Sequence, residues 1–152
     1  MTHQTGSPSM ESLVNELFQR YEREFNRSLS GDSDLVAVAN LYAKAFIAAA
    51  PSGVVTGQND DQLKRVMADG FERYRQIGMS GMKLQRLDIS GIDDLHALAR
   101  VDWTATYAID NEKKTIDFTN AYLVRREGDT ATVFGWITGD EEAVMKAHGI
   151  VR

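Results

Sequence analysis

The histidines come first among residues that could do chemistry. His3, His96 and His148 are scattered, and no pair has metal-ligand spacing, so no metal is expected. The 152 residues contain no cysteine. That removes disulfides, thiolate ligands and thiol nucleophiles together. The segment Gly78-Met79-Ser80-Gly81 reads as a connection into a strand and lacks the pattern of a phosphate loop. No local motif joins a serine, a histidine and an acid as a nucleophilic site. No cofactor is expected. What remains is a set of aromatic residues with polar tips. Tyr42, Trp103, Tyr107 and Tyr122 could wall a pocket and supply hydroxyl or indole donors, although each alone also suits a core.

The elements that must position these residues follow from periodicity. Ser7 can cap a helix with Pro8 at its first position, where a missing N–H costs nothing. Met10, Leu13, Val14, Leu17, Phe18, Tyr21 and Phe25 then keep a 3.6-residue period. Asp32-Ser33-Asp34 starts a second expected helix, with Leu35, Val38, Ala39, Tyr42, Ala43 and Phe46 as its stripe and Pro51 as its stop. Gly53 to Gly57 reads as a short β segment. Asn59 and Gln62 resemble a capping box for a third helix ending at Gly78. Gly70 inside that helix is expected to mark close packing against a neighbour.

After Gly78 the period changes to two. Strands are expected over Met82 to Ile89, Leu95 to Ile109, Lys114 to Arg126 and Thr130 to Thr138. A short helix capped by Gly139-Asp140 and ending at His148-Gly149 closes the chain. Helices first and hairpin-linked strands later are the mark of an α+β domain with an antiparallel sheet. Residues 1–9 read as a tail and 10–152 as one domain.

Composition agrees with an ordinary globular chain: 43% of residues are hydrophobic and the formal net charge is −5. An acidic surface without a basic run repels phosphate backbones, so nucleic acid is not an expected partner. The longest apolar stretch, Ala45 to Ala50, is too short to span a bilayer. Met1 to Ser9 lacks the basic and apolar regions of a secretory signal, so the expected location is cytoplasmic.

The strand around Trp103 separates its faces cleanly. Its odd-numbered residues are apolar and should face the helices, which turns Asp102 outward toward an expected ion pair with Arg100 or Arg125. Asp117 should point outward in the same way. The last two strands carry apolar residues on both faces, so the outer face needs a cover as well. A second copy of the chain is the simplest one. The expected homodimer face holds Arg100, Asp102, Thr104, Leu123, Phe134 and Trp136.

This order of elements resembles the nuclear transport factor 2-like superfamily, which includes the ketosteroid isomerases and the SnoaL-like polyketide cyclases. The resemblance runs from about Leu13 to Trp136. It is carried by Phe46-Ile47-Ala48-Ala49-Ala50-Pro51, Tyr74-Arg75-Gln76-Ile77-Gly78, Ala99-Arg100-Val101-Asp102-Trp103, and above all the closing hairpin Tyr122-Leu123-Val124-Arg125-Arg126-Glu127-Gly128-Asp129. It implies a cone: three N-terminal helices packed in a strongly curved sheet that opens at one end into an apolar pocket. Members are often dimers. Some are enzymes, and others bind ligands or partner proteins.

An isomerase or cyclase of this kind needs a carboxylate base in an apolar pocket and a donor to hold an enolate. Asn120 shares a face with Phe118 and Tyr122. It also lies near the position where the cyclases, by resemblance, carry their catalytic aspartate. An amide cannot act as a general base at neutral pH. Asn120 is then either a satisfied polar group of the sheet or a ligand contact. The expected pocket comprises Tyr42, Phe46, Trp103, Tyr107, Phe118, Asn120 and Tyr122. Three functions stay open: a small apolar-ligand-binding dimer, an isomerase, dehydratase or cyclase acting on an apolar carbonyl compound, and a protein-interaction module using the outer sheet face.

Overall fold

The computed structural model describes residues 8–151. The first helix, α1 (Met10–Leu29), is capped by Ser9, whose side chain accepts from the Ser12 backbone N–H at 3.0 Å. The expected cap, Ser7, lies outside the described residues. The α1 stripe is apolar at helical spacing, and Leu13, Val14, Leu17 and Phe18 are almost fully buried. Each such burial contributes about 2 kcal/mol.

The second expected helix is mostly a strand. The helix α2 (Leu35–Ala39) starts at its Asp34 cap and ends after little more than one turn at Asn40. The chain then runs extended as β1 (Tyr42–Ala50), turns at Pro51-Ser52 and returns as β2 (Gly53–Gln58). Alanine favours helix, but the preference is worth less than about 1 kcal/mol per residue. Pairing on both sides overrides it: β1 hydrogen-bonds β2 along one edge and β6 along the other.

The third helix, α3 (Asp61–Gln76), is capped by Asp60, whose carboxylate accepts from the N–H groups of Gln62 and Leu63. Gly78 ends this stretch with φ +93°, and a Cβ there would stand 2.6 Å from the Ala108 carbonyl oxygen. Gly70 does not serve close packing, since a Cβ added to it would meet nothing within 4 Å. It lines a small cavity of about 150 Å³ between the helices, beside Phe25 and Phe71.

Four strands follow: β3 (Met79–Gly91), β4 (His96–Ile109), β5 (Glu112–Glu127) and β6 (Thr130–Ile137). Asp110 and Asn111, both at positive φ, make the tight β4–β5 turn. The six strands form one sheet in the order β2-β1-β6-β5-β4-β3. Neighbours are antiparallel except β1 and β6, which run parallel, so the sheet is not purely antiparallel. The last helix, α4 (Glu141–Ala147), is capped by Asp140.

On β4 the odd-numbered residues from Ala97 to Tyr107 are buried against the helices, and Trp103 has no exposed surface. Leu95, just before the strand, is exposed instead. Bulges reset the alternation on neighbouring strands. In β6 the register slips so that Val124 faces Val133 while Leu123 faces Gly135. Val133 therefore points inward, and so does Trp136, which pairs with Tyr122. The expected placement of Trp136 on the outer face is thereby corrected: one extra residue at the bulge turns its ring inward. The outer face keeps Arg100, Asp102, Thr104, Leu123 and Phe134. Among the described residues Asp102 makes no ion pair there. Its carboxylate accepts from the Thr119 hydroxyl at 2.6 Å, and Asp117 likewise accepts from Thr104 at 2.6 Å. Arg125 instead donates to His96 Nε2 at 2.8 Å and pairs with Glu127.

Candidate functional site

The concave face of the sheet and the C-terminal halves of α1 and α3 leave a cavity of about 520 Å³ between them. The start of α4 stands at its mouth. A volume of this order suits a small organic ligand.

The floor is built on Trp103. Its indole N–H donates to the Tyr122 hydroxyl oxygen at 3.0 Å, and the Asn120 amide donates to the same oxygen at 3.2 Å. Both donors come from positions that alternation turns inward. Two donors on one phenol oxygen turn the Tyr122 proton toward the Tyr21 hydroxyl, and that bond is among the causes of the shifts of both phenols. Tyr21, from the α1 stripe, packs on this pair, tilted against Trp103 and edge-on to Tyr122, with its ring centre 5.6 Å from both. The hydroxyls of Tyr21 and Tyr42 share a hydrogen bond of 3.1 Å. One of those two protons is left without a partner in that pair. Three hydroxyls joined by two bonds thus leave one proton of the floor to give.

The mouth is acidic. Tyr74 on α3 donates its hydroxyl to Glu141 at 2.6 Å. Asp140 lines the mouth beside it while its carboxylate caps α4 through the Ala143 N–H at 2.9 Å. Burial raises the pKa of Tyr21, Tyr42, Tyr74 and Tyr122 above the ordinary phenol value. For Tyr74 the Glu141 charge adds to burial. Burial first and Glu141 second push Tyr107 up to about 12. Every tyrosine is therefore a neutral donor at physiological pH.

Of the residues singled out by sequence, Tyr42, Tyr107, Phe118, Asn120 and Tyr122 line the cavity. Trp103 does not reach it and stands behind Tyr122 as its donor. Phe46 also stays out of the lining: its ring stacks on Trp136 at 5.1 Å and covers Gly57. The structure adds Tyr21, Phe25, Tyr74, Met79, Met82, Trp136 and Glu141. Tyr21 and Tyr74 could have been found in the sequence, because a phenol on an apolar helix stripe needs a partner for its hydroxyl. Glu141 could not, since only the long-range return of α4 brings it to Tyr74.

A model of the family described as NTF2-like protein (DUF6841) matches residues 10–141. No curated protein matches the chain significantly. Among solved structures, an NTF2-like protein with a cystatin-like fold from Novosphingobium aromaticivorans superimposes with a TM-score of 0.67 at 14% identity, covering 93% of this chain and 88% of its own. A ketosteroid isomerase-like protein from Erwinia carotovora does so with a TM-score of 0.59 at 15% identity, covering 84% and 93%. A protein provisionally described as a scytalone dehydratase, also from N. aromaticivorans, gives 0.62 at 11%, covering 84% and 80%. At these identities the likeness concerns the fold. By the family match over most of its length, the chain belongs to the NTF2-like proteins of the DUF6841 family.

Proposed function

We propose that the protein binds a small, largely apolar molecule carrying a hydrogen-bond acceptor, and that it does so as a cytoplasmic homodimer. The observation that carries the binding reading is the floor of the cavity. Trp103 and Asn120 both donate to Tyr122, so the hydroxyls above them have a proton to give to a ligand oxygen. The wall around them is apolar, with Phe25, Phe118, Ile116, Met79 and Met82. The test is a fluorescence titration with neutral two-ring ketones, with native mass spectrometry of freshly purified protein beside it. Saturable binding is expected in the wild type. Its loss is expected in Ala105→Trp, which fills the cavity from β4, with the circular dichroism of the fold retained. Equal binding in both proteins would place the ligand elsewhere and overturn the reading.

An isomerase or dehydratase acting on an apolar carbonyl compound is the second reading, and Glu141 favours it. A carboxylate at the mouth could take a proton beside the carbonyl while the floor hydroxyls hold the resulting enolate oxygen. Solvent exchange of the α-proton of a bound ketone would support it. Binding without exchange would leave a ligand-binding domain.

A further inference from the structure

We propose that the acceptor-bearing ligand of this cavity is also an organic cation, a ring-bearing apolar body whose acceptor meets the floor hydroxyls and whose ammonium group sits at the mouth against Glu141 and the aromatic rings. The proposal rests on the cavity being a ligand site and names the class of ligand it takes.

The charge of the lining points one way. Among the described residues it contains no lysine, arginine or histidine, and it contains two carboxylates, Asp140 and Glu141. Asp140 is occupied as the α4 cap. Glu141 accepts the Tyr74 hydroxyl, and a neutral donor leaves its charge uncompensated. The neighbouring Glu142 is different, because Arg73 binds it as an ion pair. Arg73, the cation whose charge reaches Tyr74, is thus neutralised beside the rim.

The walls point the same way. All five tyrosines of the chain, with Phe25, Phe118 and Trp136, surround the space. Aromatic faces carry negative electrostatic potential and attract an ammonium group, most strongly where water is excluded. The field of Glu141 extends inward, since it contributes to the raised pKa values of both Tyr74 and Tyr107. An anion entering would meet two carboxylates and a ring of π faces. A neutral ligand would gain nothing from the Glu141 charge. The net charge of −5 adds a weak long-range attraction for cations.

The bland role for Glu141 is to stabilise the first turn of α4, where an acidic residue suits the helix dipole. Glu142 occupies the same turn and serves as the control for that role. The experiment titrates the wild type with phenethyltrimethylammonium, phenethyl alcohol and 3-phenylpropanoate, which share a ring and differ in charge. Binding is read by tryptophan fluorescence, because Trp136 lines the cavity. The cation should bind at least about tenfold more tightly than the alcohol, and the carboxylate more weakly than either. That preference should largely vanish in Glu141→Gln and persist in the double variant Arg73→Gln/Glu142→Gln, which removes the neighbouring ion pair without freeing a charge. In the wild type, added salt should weaken the cation and leave the alcohol unchanged. That salt series decides the point if Glu141→Gln proves poorly folded. If the alcohol binds as tightly as the cation, the charge assignment fails while the ligand cavity stands. A preference that survives Glu141→Gln also overturns it. If none of the three binds, the ligand reading falls with it.

Discussion

Tyr21, Tyr42, Tyr74, Tyr107 and Tyr122 are all the tyrosines of the chain, and all of them line one cavity. Each has a pKa raised above the ordinary phenol value of 10.0, with burial as the first cause. The linkage has a definite sign. A phenol whose folded pKa exceeds its unfolded value contributes stability that is complete below the unfolded pKa. That contribution is lost as pH rises toward the folded pKa. The window opens near pH 10 and runs past about 12, the value for Tyr107. No tyrosine should then titrate as a free phenol. Phenolate absorbance should stay flat through the ordinary range, then rise in one cooperative step together with loss of the far-ultraviolet dichroism. A phenol ionising near its ordinary pKa with the dichroism intact would contradict the buried cluster. The sequence carried part of this. Alternation on β4 and β5 turns Tyr107 and Tyr122 inward, and Tyr42 belongs to an apolar pattern. The partners of Tyr122 come from the sheet itself, whereas the Tyr74 partner, Glu141, was hidden because it sits on a helix that only the long-range fold brings back.

At the scale of elements, the contact between α1 and β3 decides how the open side of the sheet is closed. β3 is an edge strand, and a bare edge invites pairing with another chain. Side chains of α1 fill part of that role. Asn26 gives its amide N–H to the Met82 carbonyl at 2.7 Å and accepts the Met82 N–H at 2.9 Å, while Glu22 accepts the Leu84 N–H at 2.6 Å. Asn26→Leu leaves both backbone groups of Met82 without these partners, which should cost about 2–4 kcal/mol. Chemical denaturation measures it against Asn15→Leu, whose amide only bonds the Glu11 carbonyl of its own helix and which should cost less than about 0.5 kcal/mol. Equal losses in the two variants would mean that the edge contact does not stabilise the fold. Most elements were legible beforehand, because α1, α3 and the strands β3 to β6 are long enough for their periods to show. The stretch from Tyr42 to Ala50 was not. Its alanines favour helix, and its strand state depends on β6, which lies far away in the chain. A local cue existed in Pro51-Ser52-Gly53, a turn that joins the expected β segment to whatever precedes it and so calls for an adjacent strand. Trp136 was misplaced for a related reason, since a bulge is a property of two strands and alternation along one strand cannot reveal it.

At the scale of the whole molecule, the outer face of the sheet is the part that one copy leaves uncovered. Leu98, Leu123, Gly135 and Ile47 lie in one row across four strands, and Ala121, Ile137 and Ala49 lie in the next. The row is tightly built, since a Cβ on Gly135 would stand 2.9 Å from Ile47 and 3.0 Å from Leu123. Ile47 and Ile137 are nevertheless 40% and 54% exposed, which is high for residues in the middle of a sheet. Arg100 ends the second of these rows on β4, and Asp102 lies one row further on the same strand face. A two-fold axis passing beside β4 between them would set each Arg100 against the Asp102 of the other copy, so the surface can complement itself, as an isologous interface requires. A stable interface buries roughly 1,200–2,000 Å² in total, and the concave face is already committed to the helices and the cavity. The expected state at micromolar concentration is therefore a dimer by sedimentation velocity. Ile137→Lys puts a lysine from each copy into the apolar rows of the interface and should give a monomer with unchanged circular dichroism. Val36→Lys, exposed on α2 away from the sheet, should leave the dimer intact. A wild type that sediments as a monomer at every concentration would remove the second copy as the cover of this face. The apolar rows would then have to serve a different protein, in keeping with the interaction-module reading.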